Sequence, residues 1–270
     1  MRKFGKYLRI GILCGWRVIF EYFQWILPCS RNPKKKPLSY RYAKARSLVV
    51  FLLRHMNIDF VNVDVSSFQS DRPVLHVCNH QSAIDPLMYI AMSPRPVSFI
   101  SKKENAKIIV AGRLIKAIDG VFIDREDPRQ AIRAFREAKA NMEASGVSYC
   151  IFPEGTRQRD VYSGIVQDFK PGSLKLAYMT KAPILVSVQF GSIHAFDRSS
   201  GKGRYFHIEL LHTYEYEDYK DLTTVELSRA SRELIQKRLP EITQEDRAYF
   251  AAKKNKQKPM KWWKNVPALI

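Results

Sequence analysis

Glycine and cysteine are both sparse in this 270-residue chain, and neither is arranged for the work it often does. The 12 glycines build no P-loop and no dinucleotide fingerprint, which argues against the common nucleotide-binding folds. The four cysteines, Cys14, Cys29, Cys78 and Cys150, include no C-x-x-C pair. Two of them sit in apolar, strand-like runs, so buried thiols in a reducing compartment fit better than disulfides or zinc ligands. His55, His76, His194, His207 and His212 show no ligand spacing with acids, and neither a metal nor another cofactor is expected. Ser82 lacks the flanking glycines of a nucleophile elbow. No internal repeat is present, and no small-residue cleavage site follows the basic-then-apolar N-terminus. Acidic residues are also few: 26 against 45 Lys and Arg, a formal charge of +19. Such an excess sets no fold but favours anionic partners: nucleic acid, anionic lipid or a phosphorylated substrate.

The length allows one large α/β domain with an appendage. Residues 2–27 are apolar and aromatic, with Trp16, Phe20, Tyr22, Phe23 and Trp25. On a helical wheel Arg2, Lys3, Lys6, Arg9, Arg17, Glu21 and Gln24 occupy a sector of about 120°, with Leu13 and Phe20 in it or at its edge. A central Arg costs about 2.5–3.5 kcal/mol to insert, and each Ile, Leu or Phe returns about 0.3–0.6, so spanning a bilayer nets near zero. A helix lying in the interface keeps the apolar burial without that penalty. After a break at Cys29–Pro37 carrying Lys34-Lys35-Lys36, a second helical run is predicted at about 39–57, with cations Arg41, Lys44, Arg46 and Arg54. The pair reads as an amphipathic two-helix membrane-binding motif; the alternative is a hairpin packed on the core. The C-terminus, with Lys253 to Lys264 around Trp262-Trp263, is either another headgroup contact or a basic tail. These features divide the chain into a helical anchor (1–58), an α/β domain (59–245) and a basic tail (246–270).

Between the ends, apolar runs alternate with helical stretches. Strands are predicted at 74–78, 97–101, 120–124, 149–152, 183–190 and 205–211. Helices are predicted at 85–92, 106–118, 128–145, 173–181 and 224–239. Asp127, Pro128 and Gly146 punctuate the third helix. This rhythm implies an α/β fold with a mainly parallel sheet flanked by helices. Sites in such sheets collect beyond the carboxyl ends of the strands. His80, Lys102, Arg125, Glu154 and Arg157 all fall there.

In Asn79-His80-Gln81-Ser82-Ala83-Ile84-Asp85-Pro86, an aspartate five residues after the histidine can reach its far ring nitrogen if the chain turns between them. A histidine so held can take a proton from a hydroxyl. Asp85-Pro86 reads equally well as a helix N-cap and N1 pair. In Phe152-Pro153-Glu154-Gly155-Thr156-Arg157, a carboxylate, a glycine and a guanidinium share one turn, which suits a phosphate but also an exposed ion pair.

The order N-H-x-x-x-x-D, then Gly120-Val121-Phe122-Ile123-Asp124-Arg125, then Phe152 to Arg157, then Ala182-Pro183-Ile184-Leu185-Val186-Ser187-Val188 resembles the four blocks of the glycerolipid acyltransferase family. Within it the match is best to the 1-acylglycerol-3-phosphate acyltransferases, over about residues 70–215. The resemblance implies transfer of a fatty acyl group from an acyl thioester, acyl-CoA or acyl carrier protein, to the free hydroxyl of 1-acylglycerol 3-phosphate, giving phosphatidic acid without an acyl-enzyme. His80 would be the base and Asp85 its support. Lys102 (or Lys103), Arg125, Glu154, Gly155, Thr156 and Arg157 would bind the acceptor, and Pro183 would shape the acyl site. Gln158 stands where many relatives carry serine. The implied partners are a membrane phospholipid surface, lysophosphatidic acid and the thioester donor, with no nucleic acid. The implied location is the cytoplasmic face of the cell membrane, held peripherally. The competing readings are acylation of glycerol 3-phosphate or another lysophospholipid, and a non-enzymatic basic membrane or nucleic-acid binder.

Overall fold

The computed structural model describes residues 2–56, 58–61, 68, 70–124, 127–196 and 204–251. Side chains are described for these except 2–10, 13, 59–61, 128, 195–196, 204–205 and 249–251. Arg125 and the lysine-tryptophan tail from Lys253 onward therefore lie outside the described residues, as do the side chains of Arg2, Lys3, Lys6, Arg9 and Leu13.

Seven strands are described: β1 (Ile58–Val61), β2 (Leu75–Cys78), β3 (Val97–Lys102), β4 (Val121–Ile123), β5 (Ser148–Ile151), β6 (Ile184–Phe190) and β7 (Arg204–Tyr214). They form one sheet in the order β1-β7-β6-β2-β5-β3-β4. Every pairing is parallel except β6 with β7, which is antiparallel with a bulge between Val186 and Ser187. The central strands β2, β5 and β6 are buried along their whole length. That is the reason they read as continuous apolar runs rather than alternating ones. Strand β1 is absent from the sequence reading: its four residues, Ile-Asp-Phe-Val, are too short and mixed to stand out, and pairing with β7 supplies the order.

Helices α4 (Asp85–Met92), α5 (Ile109–Ala117), α6 (Pro128–Ser145) and α7 (Lys175–Thr180) fall between successive strands; α8 (Tyr216–Tyr219) and α9 (Thr224–Ala251) follow the sheet. The ends of α6 are those the sequence announces. Asp127 accepts hydrogen bonds from the amides of Arg129 and Gln130, and Gly146 leaves the helix at φ 70°. Helix α9 passes through Pro240 instead of stopping before it, because Ile242, Thr243 and Asp246 beyond the proline are all buried. Helix α9 thus runs past residue 245.

The core encloses groups held far from their ordinary ionisation. Burial pulls His76 down to about 4 and pushes Cys78 up to about 12. Both side chains are buried in the core, on a strand with every residue buried.

The N-terminal helix α1 (Arg2–Glu21) runs through a π-helical turn at Tyr22–Ile26 into α2 (Leu27–Arg31), and α3 (Leu38–His55) follows. Its described polar residues face inward. Arg17 donates to Ser47 of α3, pairs with Glu21 at 3.4 Å and lies over the Phe51 ring. Ile12, Trp16, Ile19, Phe20 and Phe23 face out, each more than half exposed. At 100° per residue the first four span an arc of about 100°. Helix α3 departs from the expected lipid-facing role. Arg41 is buried, bonded to both oxygens of Asp119 at 2.6 and 3.0 Å and to the carbonyl of Ala117. Arg46 is buried and donates to the carbonyl of Ala91. These two cations tie α3 to the domain, so the basic face read from sequence is partly structural. Among the described residues no helix is long and apolar enough to cross a membrane.

Candidate active site

Strand β2 ends at Cys78, and the chain turns through Asn79 and His80 before α4 begins. Asn79 is fixed first. Its side chain exchanges hydrogen bonds with the main chain of Gln189 on β6 at 2.9 Å each way, and Gln189 Nε2 donates to the Asn79 carbonyl at 2.7 Å. This clamp sets where His80 leaves the sheet. Sequence reasoning missed it, although a glutamine inside the apolar run 184–190 is a signal that could have found it.

His80 Nδ1 lies 2.7 Å from Asp85 Oδ2. The same oxygen accepts from the amides of Gln81 at 2.8 Å and Ser82 at 3.0 Å. Asp85 is fully buried at the first turn of α4. Its carboxylate does not cap its own helix, the alternative reading of Asp85-Pro86, but folds back over the preceding turn. An ionised Asp85 can only accept, so Nδ1 carries the proton and the lone pair sits on Nε2. The imidazole stacks on Phe152 with centroids 4.3 Å apart and planes 16° apart. Its side chain is about one-fifth exposed.

Phe152 opens the second motif, which leaves β5, the strand next to β2. Gly155 closes the turn at φ 73°, with its amide on the Phe152 carbonyl at 3.1 Å. Thr156 and Arg157 are exposed beyond it. Glu154 points the other way. It is buried, and its two oxygens accept from the amides of His80 at 2.6 Å and Gln167 at 3.2 Å. Burial pushes its carboxyl up to about 7 against the lowering effect of those two amides. The Gln158 amide donates to the His80 carbonyl at 2.9 Å, and the Lys170 amide to Pro153. The loop after Glu154 is therefore stitched to the histidine turn at both of that residue's backbone groups. Phe152 and Gln167 carry this support, and only their place beside the motif hinted at it.

The sheet order β2-β5-β3-β4 lines up the remaining candidates at the same carboxyl edge. Lys102 ends β3 and pairs with Glu104 at 3.3 Å; Lys103 pairs with Asp124 just past β4. With strands about 4.8 Å apart, Lys102 leaves the sheet about 10 Å from β2 and the end of β4 about 14 Å away. Pro183 is not brought to this group. It precedes β6 at the amino edge, where its carbonyl accepts from Leu75, roughly 20 Å of strand from His80.

Comparison with known proteins bears on the family and the fold. The family model described as Acyltransferase matches residues 60–188. A probable 1-acyl-sn-glycerol-3-phosphate acyltransferase of Mycoplasma genitalium is 36% identical over 189 residues, 65% of this chain and 68% of that protein. Its counterpart in Mycoplasma pneumoniae is 34% identical over 166 residues, 60% of each chain. The crystal structure of the 1-acyl-sn-glycerophosphate (LPA) acyltransferase PlsC from Thermotoga maritima has a TM-score of 0.67 at 25% identity, covering 90% of this chain and 98% of that one. The chain spans 60–68% of the length of the two curated relatives. Fold, motif order and these likenesses define an enzyme of the acyl-transfer class. The chain belongs to the acyltransferase family that these proteins represent.

Proposed function

We propose that the chain transfers a fatty acyl group from an acyl thioester, acyl-CoA or acyl carrier protein, to the free hydroxyl of 1-acylglycerol 3-phosphate, giving phosphatidic acid. The observation that carries this reading is the 2.7 Å contact of His80 with a buried Asp85 at the edge of the sheet. Nε2 of His80 takes the hydroxyl proton as that oxygen bonds to the thioester carbonyl carbon. The tetrahedral intermediate then expels the thiolate, which leaves with the proton from His80. A thioester needs no further activation, so a base and a well-placed alcohol suffice. Asp85 stabilises the imidazolium formed on the way.

Arg157 is the best-placed described cation for the acceptor phosphate: its turn leaves the strand adjacent to β2, and it has no ion pair among the described residues. Lys102 leaves β3, two strands farther along the same edge, and adds a second cation there; Arg125 is proposed from the motif alone. Gly155 supplies the turn and Thr156 a hydroxyl beside it. Glu154 acts as a positioning residue, because both of its oxygens are occupied by backbone amides.

The outward apolar face of α1 supports contact with a bilayer surface. Ile12, Trp16, Ile19, Phe20 and Phe23 are each between half and seven-tenths exposed, so burying what remains in water would recover roughly 1–2 kcal/mol per side chain. A lipid interface offers that burial where a lipid acceptor already resides. The test is release of free thiol from palmitoyl-CoA and from palmitoyl-carrier protein, each with vesicles containing lysophosphatidate. Release that depends on lysophosphatidate is expected with at least one donor. Equal release without it, or release supported only by glycerol 3-phosphate, would overturn the assignment.

A further inference from the structure

A cavity of about 690 Å³, not lined by His80, Glu154 or Arg157, lies between the π-helical turn, α5 and β4. Tyr22, Ile109 and Phe122 give it apolar lining, and Lys107, Arg113 and Lys116 give it cations; Glu137 is the acidic group lining it. Its volume is that of an ordinary small-ligand site. Arg113 donates to Ser30 at 3.4 Å, which draws α2 and α5 together at this point. Lys107 and Lys116 are exposed and have no ion pair among the described residues. The cations gathered here repel one another, and an anion seated among them relieves that repulsion.

The surroundings say which anion. Ile108 is 52% exposed and Ile109 70%. Phe23 packs edge-on against Tyr22 with centroids 5.1 Å apart and is 65% exposed. Exposed apolar side chains thus adjoin both Tyr22 and α5 in the lining of a cationic pocket. A soluble phosphate gains nothing from such neighbours. A phospholipid gains from both, its phosphate on the cations and its chains along the apolar side chains. Neither His80 nor any residue of Phe152–Arg157 lines the cavity, and Lys102 and Lys103 do not line it either, although Lys107 stands only four residues beyond Lys103. Strand β4, which borders it, is three strands from β2, about 14 Å across the sheet.

We propose that this cavity holds the headgroup of an anionic bilayer glycerophospholipid that is not being acylated, fixing the orientation of the domain on the membrane. The proposal rests on the membrane-contact reading of α1. Its test is calorimetric titration of the full chain with dihexanoylphosphatidylglycerol below its micelle concentration, using wild type, the Lys107→Gln/Lys116→Gln double variant, and a charge-matched Lys220→Gln/Lys237→Gln control on α8–α9. One saturable site is expected, weakened about fivefold per cation and so at least tenfold in the double variant, with the control unchanged. Inorganic phosphate is expected to bind at least tenfold more weakly than the lipid. Absence of saturable binding, equal weakening in the control, or equal binding of inorganic phosphate would overturn the proposal. Binding of the short-chain lipid by a protein that ignores phosphatidylglycerol vesicles would instead count against the membrane-contact reading alone.

Discussion

The Glu154→Gln substitution isolates one charge buried behind the active-site turn. Wild-type Glu154 rises from its ordinary 4.5 to about 7 because burial disfavours its ionised form. Between those values the folded chain keeps a proton that the unfolded chain has released. Stability contributed by this group therefore falls as pH rises from 4.5 to 7 and is level above that. At about 1.4 kcal/mol per pH unit, the loss across the window is about 3 kcal/mol. His76 works against it: its value is pulled down to about 4, so the unfolded chain binds the extra proton and stability rises with pH up to its ordinary 6.5. The wild-type curve alone would hide both effects, but subtracting the variant curve removes the histidine. Glutamine has one oxygen for two amides, and the longer contact, from Gln167 at 3.2 Å, is the one to lose its acceptor. That costs about 1–3 kcal/mol at every pH. Urea unfolding at pH 4.5, 6 and 7.5 measures the difference between the two proteins. It is expected to move by about 3 kcal/mol in favour of Glu154→Gln from the lowest pH to the highest. Parallel curves would refute the argument.

Two further substitutions test separate parts of the account. Arg157→Ala is expected to lower kcat/KM for lysophosphatidate about 10- to 100-fold, the worth of a charged hydrogen bond, and to leave a neutral lysolipid acceptor nearly unaffected; equal losses on both acceptors would remove the phosphate role. Arg41→Ala strands Asp119 and the carbonyls of Ala117 and Lys36, and is expected to cost about 3–5 kcal/mol in denaturant unfolding. A loss below 1 kcal/mol would return Arg41 to the solvated, lipid-facing role that its sequence position implied.

The central sheet was legible because its strands are buried on both faces and stand out as apolar runs, and α6 because capping chemistry is local. Strand β1 was not, since its order comes from pairing with β7, more than 140 residues away. The helix α9 end was misplaced because tertiary burial of Ile242 and Asp246 overrides the cost of Pro240. In the site, spacing only allowed the His80–Asp85 contact beside the N-cap alternative, and it was the order of the four sequence blocks that favoured it. The inward turn of Glu154 did not, because nothing in Phe152–Arg157 tells which of the two charged side chains faces the core. The buried Arg41 and Arg46 escaped for a similar reason: their partners, Asp119 and Ala91, are brought by the fold.

The central claim is that the His80 imidazole takes the acceptor proton. Its most direct test is single-turnover acyl transfer to lysophosphatidate by folded His80→Ala, with unfolding curves matching wild type. A rate loss of 10²- to 10⁴-fold is expected, the usual worth of a positioned general base. A rate within tenfold of wild type would contradict the account.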